Sequence, residues 1–377
     1  MGQVTKRKLK FKAPVIQVFK YIGIVLAILL AVFLFYRYQL HPLLRLNYSE
    51  KASNNILFSL KKKDVLQVGE NKTLNAAFES DYYKEKYFKE YTRIDYQKQD
   101  NLIKNINTFL KKGYTTGEIS TILKRGTDQE VSEFAKRDRV RYVDEFFSFD
   151  FSKLNLYDRY VNFSDESGFE DEDVVVYVNL DMDKEDYTEP NEVKVFSTNM
   201  LVNKHNKLDE KFEPDNLVKV DEKYTDDEDI KLNRIAYYAF IEMDNAASKE
   251  GLSFVINSGY RSYEDQEEIC NLYLRDYGQE YVDKYVAKPG FSEHQTGLAF
   301  DIGSKNSNVF ARSKEYPWIL ENAHKYGFIQ RFPSKYERIT GFRFESWHFR
   351  YVGKEAAKYI IENDMSYEEY YARFLMK

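Results

Sequence analysis

From Tyr21 to Tyr36 the chain reads YIGIVLAILLAVFLFY, a run with no charged residue and no amphipathic face. Its length matches the shortest transmembrane helices and slightly exceeds a typical signal-peptide core, so it constrains the topology of everything that follows. Lys6, Arg7, Lys8, Lys10, Lys12 and Lys20 precede it, and the first acidic residue is Glu50. The sequence after it, RYQLHPLLRLN, has no small-residue cleavage signal. That favours an uncleaved anchor over a cleaved signal peptide or a buried soluble helix. By the positive-inside bias, residues 1–20 form a basic cytoplasmic tip, 21–38 cross the membrane once, and the rest lies outside, with Tyr21, Tyr36 and Tyr38 at the interfaces.

The remainder is large enough for two further regions at about 100–200 residues per domain. The 377 residues carry 56 basic against 61 acidic side chains, a net −5, which argues against a nucleic-acid partner. With 32 Tyr and 28 Phe, a disordered polymer is excluded, and 16 Gly with 7 Pro exclude a collagen-like repeat. Cys270 is the only cysteine, so no internal disulfide can form. It shares a helical apolar face with Ile269 and Tyr273, which suits a packed thiol better than a nucleophile.

Residues 39–195 read as a charged, mostly helical spacer or wall- or partner-binding region. Leu102, Ile103, Ile106, Phe109 and Leu110 follow helical spacing, while Thr115 with Glu118 and Thr127 with Glu130 are capping-box pairs. Val174–Leu180 reads as an apolar strand between acidic runs. DMDKEDYTEPNE lacks the glycine and closing glutamate of an EF-hand. A boundary is expected near 185–196, where Thr188, Pro190 and Asn191 interrupt the pattern, leaving 196–377 as the last domain. There, a helical stripe from Leu232 to Ala247 ends at Gly251, and LSFVINS resumes as a strand. Arg261 sits in the turn Ser258-Gly259-Tyr260-Arg261 that follows, and Ser262 with Asp265 caps the next helix.

Two of the five histidines lie in dense polar motifs, His294 in SEHQTGLAFDIG and His348 in FRFESWHFRYVG. Asp301 closes the apolar run Leu298-Ala299-Phe300, where a buried carboxylate is costly unless a positive group pairs with it. His294, Asp301 and His348 form a donor set that zinc accepts without cysteine. Glu345, three residues before His348, is near enough to act as a base. Positions three apart on a strand face opposite ways, so Glu345 must lie in a bend ahead of the strand. His41, His205 and His324 have no ligand-like neighbours.

Ser292-x-His294, Gly297 and Asp301, followed by Glu345-x-Trp347-His348, resemble the signature of the VanY-like D-alanyl-D-alanine carboxypeptidases. The similarity continues upstream through INSGYRSYEDQ and more weakly through LVNKHNKL and DNLVKV, covering about residues 196–365. It implies the α+β fold shared with VanX dipeptidases and the Hedgehog N-terminal domain, a mixed or antiparallel sheet with flanking helices. It further implies zinc on His294, Asp301 and His348, Glu345 as general base and then acid, and Arg261 on an oxyanion or a substrate carboxylate. Gln266 and Ser292 match positions near the peptide, and Trp347 is either a pocket wall or a core aromatic. The absence of H-E-x-x-H separates the site from thermolysin-like enzymes.

The expected function is therefore a bacterial, membrane-anchored zinc carboxypeptidase that trims D-alanine from peptidoglycan stem peptides outside the cell. An LD-carboxypeptidase or related peptidase on the same site is the nearest alternative. A non-catalytic, tethered wall-binding protein with a structural zinc domain is the alternative of another class.

Overall fold

The computed structural model describes residues 13–97, 99–227 and 229–376. The basic residues through Lys12 lie outside them. Helix α1, Ala13–Arg45, follows from the unbroken apolar run, and from Gln17 to Arg45 its 29 residues are long and apolar enough to cross a membrane. At about 1.5 Å per residue this stretch exceeds a hydrocarbon core of roughly 30 Å. Leu26, Leu30 and Phe35 stand exposed along it.

The chain forms two compact units, Met1–Phe147 and Ser148–Lys377. Beyond α1 the first unit is a series of short helices, including Glu50–Phe58, Lys72–Glu79, Leu102–Lys111 and Thr116–Arg125. Their buried faces supply Ile56, Phe78, Ile106, Phe109 and Ile122. Both expected capping boxes form, Thr115 with Glu118 and Thr127 with Glu130, each satisfying amide groups that the helix start leaves unpaired.

One hydrogen-bonded arrangement, not foreseen from sequence, occurs twice. Tyr91 Oη accepts from Lys84 N and donates to Asn107 Oδ1, and Asn107 Nδ2 donates to the Tyr82 carbonyl. In the second unit Tyr160 Oη accepts from Lys153 N and donates to Asn179 Oδ1, and Asn179 Nδ2 donates to the Phe151 carbonyl. In both, a short 3-10 turn leads into the helix that bears the tyrosine. The helical region thus repeats one local packing device.

Two expectations differ from the structure here. Val174–Leu180 lies in the helix Asp171–Asn179 and its C-cap, not in a strand. Val174, Val175, Val176 and Val178 are all buried, and a short continuous apolar run shows no period that separates helix from strand. Asp171, Glu172 and Asp173 occupy its first turn, where negative charge favours a helix start. The division between units also falls ahead of 185–196. Val176, Leu180 and Met182 pack with Leu201, Ile329, Val352 and Ile360, so the helices between 154 and 179 belong with the C-terminal unit.

In that unit, β1 (Asn191–Val193) pairs in parallel with β2 (Asn206–Leu208), and β3 (Leu217–Lys219) pairs antiparallel with β4 (Lys231–Asn233). The main sheet contains β5 (Phe254–Ser258), β6 (Ala299–Ser304), β7 (Phe328–Gln330) and β8 (His348–Tyr351) in the order β5-β6-β8-β7, with every neighbour antiparallel. Helix Arg234–Ser248 covers one face, where Phe240, Phe300, Phe328 and Phe349 form the core. A fully buried phenylalanine there contributes about 1.5–3 kcal/mol. The architecture is α+β, and the sheet at its centre is wholly antiparallel.

Candidate metal centre and active-site cleft

Strand alternation sorts β6 and β8 into two chemistries. Phe300 and Phe349 are register partners facing the core, so the adjacent pair, Asp301 and His348, faces the other side. A bulge in β5 between Ile256 and Ser258 brings Ser258 opposite Asp301, at the point where the site opens.

His294 arrives on a separate element, the 3-10 turn Glu293–Thr296, with Ser292 Oγ accepting from the His294 amide at its start. Gly297 ends the turn at φ +66°, and a Cβ there would sit 2.9 Å from Leu217 and 3.0 Å from the Asn233 amide nitrogen, so only glycine fits. Gly259 is equally constrained, because a Cβ would lie 2.4 Å from the Lys231 carbonyl. That close approach lets the Gly259 carbonyl accept from His294 Nδ1 at 2.7 Å, while the Arg261 amide donates to the His294 carbonyl at 3.2 Å. The Ser-Gly-Tyr-Arg turn and the His294 turn therefore hold each other.

The three side chains converge. Asp301 Oδ1 is 3.5 Å from His294 Nε2 and 3.3 Å from His348 Nδ1, and one donor atom from each residue lies within 4.8 Å of the others. Asp301 Oδ1 is buried without a hydrogen-bond partner. Since a carbonyl cannot donate, His294 Nδ1 must carry the proton shared with Gly259, which leaves the Nε2 lone pair aimed at a carboxylate oxygen. Two acceptors at this separation call for a cation between them. Burial pushes His294 below its usual pKa, keeping the imidazole neutral as a ligand requires. The residues present fit a divalent metal.

Glu345 lies in the loop just ahead of β8, with Ser346 and Trp347 making the bend that the spacing demanded. Its amide donates to the Phe332 carbonyl at 3.0 Å, and its Oε2 is 3.6 Å from His348 Nδ1. Burial lifts its carboxyl to about 7, with His348 opposing and Asp301 adding to the rise. A carboxyl in that range exchanges a proton readily at neutral pH.

All the sequence-expected site residues line one cleft of about 460 Å³, with Tyr273, Tyr281 and Phe332 among the apolar walls. Arg261 donates from Nη1 to Gln266 Oε1 at 2.8 Å and from Nη2 to Ser258 Oγ at 3.0 Å. Gln266 Nε2 is taken by the Ala287 carbonyl at 2.6 Å, so both ends of this carboxamide are engaged within the protein and it buttresses Arg261. Ser292 likewise uses its hydroxyl to start the His294 turn. Trp347 is 43% exposed at the cleft, a wall and not a core aromatic. Cys270 is half-buried, its Sγ 3.2 Å from the Ala287 carbonyl oxygen.

Sequence reasoning missed a buried charge cluster behind the donors, formed by Glu293, Arg331, Arg350 and Glu368. Its only signal was an arginine inside or directly after an apolar strand, in FIQR and HFRY.

The family profile described as VanY, D-alanyl-D-alanine carboxypeptidase, matches residues 229–354. YodJ of Bacillus subtilis (strain 168) is 41% identical over 181 residues, 46% of this chain and 66% of its own. The D-alanyl-D-alanine carboxypeptidase of Enterococcus faecium is 39% identical over 145 residues, covering 38% of this chain and 45% of that protein. The bifunctional D-Ala-D-Ala dipeptidase and carboxypeptidase VanXYC of Enterococcus gallinarum is 32% identical over 182 residues, 46% of this chain and 94% of its own length. The matches are to peptidases, and the cleft brings together a donor set that fits a divalent metal. The chain belongs to the VanY-like D-alanyl-D-alanine carboxypeptidase family.

Proposed function

We propose that this protein is a zinc carboxypeptidase that removes the terminal D-alanine from peptidoglycan stem peptides ending in D-Ala-D-Ala. The observation that carries the reading is the partnerless, buried Asp301 oxygen between two histidine nitrogens, with Glu345 beside it in an open cleft. Two imidazoles and a carboxylate, without sulfur, form a donor set suited to catalytic zinc. Zinc held by His294, Asp301 and His348 would supply Lewis acidity and acidify a water molecule.

The chain's own groups supply the rest. Glu345 accepts the proton of the attacking water as its oxygen bonds to the scissile carbonyl carbon. Arg261, held in place by Gln266 and Ser258, binds the anionic oxygen or the substrate's terminal carboxylate. Glu345 then returns the proton to the amide nitrogen as the C–N bond breaks, and D-alanine leaves. Arg261→Lys keeps the charge but loses the planar fork, so kcat/KM is expected to fall about 10²-fold with metal content unchanged. Steady-state kinetics alongside metal analysis checks this.

The test of the reading is digestion of defined muropeptides ending in D-Ala-D-Ala or in a single D-Ala, with mass detection. The expected product is the first peptide shortened by one D-alanine, with activity abolished by a strong chelator and restored by zinc. Cleavage of neither peptide removes the carboxypeptidase reading, and cleavage of only the second makes it an LD enzyme.

In this reading α1 anchors the protein in a bacterial membrane with the basic N-terminus inside, and the helices after it space the enzyme from the lipid. Protease added to intact cells should then degrade the C-terminal domain. Survival until lysis would reverse the topology.

A further inference from the structure

Glu293 lies in the same turn as His294, is only 4% exposed, and has no part in the proton transfers above. Its Oε1 accepts from Arg331 Nε at 2.9 Å and from Arg350 Nη1 at 3.0 Å, while Oε2 faces His348 Nε2 at 3.4 Å. Arg331 uses its other nitrogens on Glu368, Nη1 reaching Oε2 at 2.9 Å and Nη2 reaching Oε1. Arg350 is fully buried and spends its remaining donors on the carbonyls of Tyr351, Thr198 and Met200 at 3.0, 3.1 and 2.9 Å. The cluster thus joins β8, the His294 turn, the end of β7 and the helix Tyr367–Tyr370, with Glu368 itself 0% exposed. Glu368 lies beyond residue 354, where the family match ends.

Two guanidinium groups face two carboxylates, so the cluster balances its own charge. A carboxylate flanked by two arginines stays ionised and can only accept, and the His348 nitrogen that faces it must therefore be the one that carries hydrogen. With a metal bound, Nδ1, which faces Asp301 at 3.3 Å, would give its lone pair to the ion while Nε2 keeps the hydrogen that Glu293 accepts. A ligating histidine is commonly fixed in this way, by a partner on its distal nitrogen.

Resting on the zinc reading above, we infer that Glu293 is a positioning residue that holds His348 in its Nε2–H tautomer with Nδ1 toward the metal. Glu368, through Arg331, holds Glu293 in place. The C-terminal helix, outside the matched family core, is then part of the support of the metal centre. The competing account is that Glu293 only neutralises two buried arginines, in which case its loss lowers stability and leaves metal binding as it was.

The experiment uses the full chain in detergent and measures the zinc dissociation constant by competition with a chromogenic chelator, together with thermal unfolding of the metal-free protein. Glu293→Gln is expected to weaken zinc binding about 10–100-fold, the range typical of lost outer partners, and to lower kcat more than it changes KM. Glu368→Gln is expected to weaken zinc binding in the same direction by a smaller factor. A folded Glu293→Gln protein with the wild-type zinc constant overturns the inference, and an unchanged constant in Glu368→Gln overturns the part given to the C-terminal helix. The wild-type protein supplies a second measurement if the variants do not fold. In ¹⁵N-imidazole NMR of the zinc-loaded chain, with His41, His205 and His324 each replaced by Gln for assignment, one histidine should bind through Nε2 and the other through Nδ1. Two Nε2-bound histidines overturn the inference. A wild-type chain that takes up no zinc fails differently, because it removes the zinc reading itself.

Discussion

Glu345→Gln is expected to lower kcat by about 10²–10⁴-fold, the usual contribution of a positioned acid–base group, while the zinc content stays at the wild-type level. The substitution keeps the size and the loop geometry, including the hydrogen bond from the backbone amide of residue 345 to the Phe332 carbonyl and that from Gln330 Nε2 to the carbonyl of residue 345, both at 3.0 Å. It removes only the capacity to take and return a proton. Metal retention follows because the converging donors come from His294, Asp301 and His348, with Glu345 Oε2 set to one side, 3.6 Å from His348 Nδ1. Hydrolysis of a D-Ala-D-Ala peptide and metal analysis on the same sample distinguish the outcomes. Activity within tenfold of wild type places the base elsewhere, and joint loss of metal and activity makes Glu345 a ligand.

What the sequence made legible was local in its cause. Asp301 stands out because it interrupts an apolar strand, and His348 because it follows a bend that frees Glu345 from strand alternation. Register then does what spacing could only suggest, pairing Asp301 with His348 across β6 and β8. The glycines in SGYR and HQTG are legible as motif, but the reasons for them are tertiary contacts, the Lys231 carbonyl against Gly259 and Leu217 with Asn233 against Gly297. Val174, Val175, Val176 and Val178 mislead because a helical stretch with every valine buried and a central strand show the same apolar run. The repeated Tyr–Asn arrangement escapes notice because only its Lys-to-Tyr separation of 7 is kept, while the asparagine follows the tyrosine by 16 residues in one copy and 19 in the other. Glu293 and Glu368 are legible only once Arg331 brings them together, since an isolated glutamate in a polar motif or a terminal helix reads as surface charge.

That buried cluster is also where the largest stability effect is expected. Arg331→Met removes the shared cation and leaves Glu293 with Arg350 and the His348 ring, and Glu368 without either of its hydrogen bonds from Arg331. Arg331 and Glu368 side chains have no solvent exposure and that of Glu293 has 2%, so water cannot replace the lost donors. Breaking a buried pair by removing one partner costs about 3–5 kcal/mol, which for a domain of this size lowers Tm by roughly 6–20 °C. Removing charge from both sides behaves differently, because no orphaned carboxylate remains at that end: Arg331→Met combined with Glu368→Leu is expected to recover part of the loss, since apolar replacements of similar size often match a buried ion pair. Thermal unfolding of the metal-free wild type, the single variant and the double variant measures the coupling directly. A single variant that melts within 2 °C of wild type shows the cluster to be open to water, and a double variant less stable than the single one shows that Glu368 contributes through partners other than Arg331.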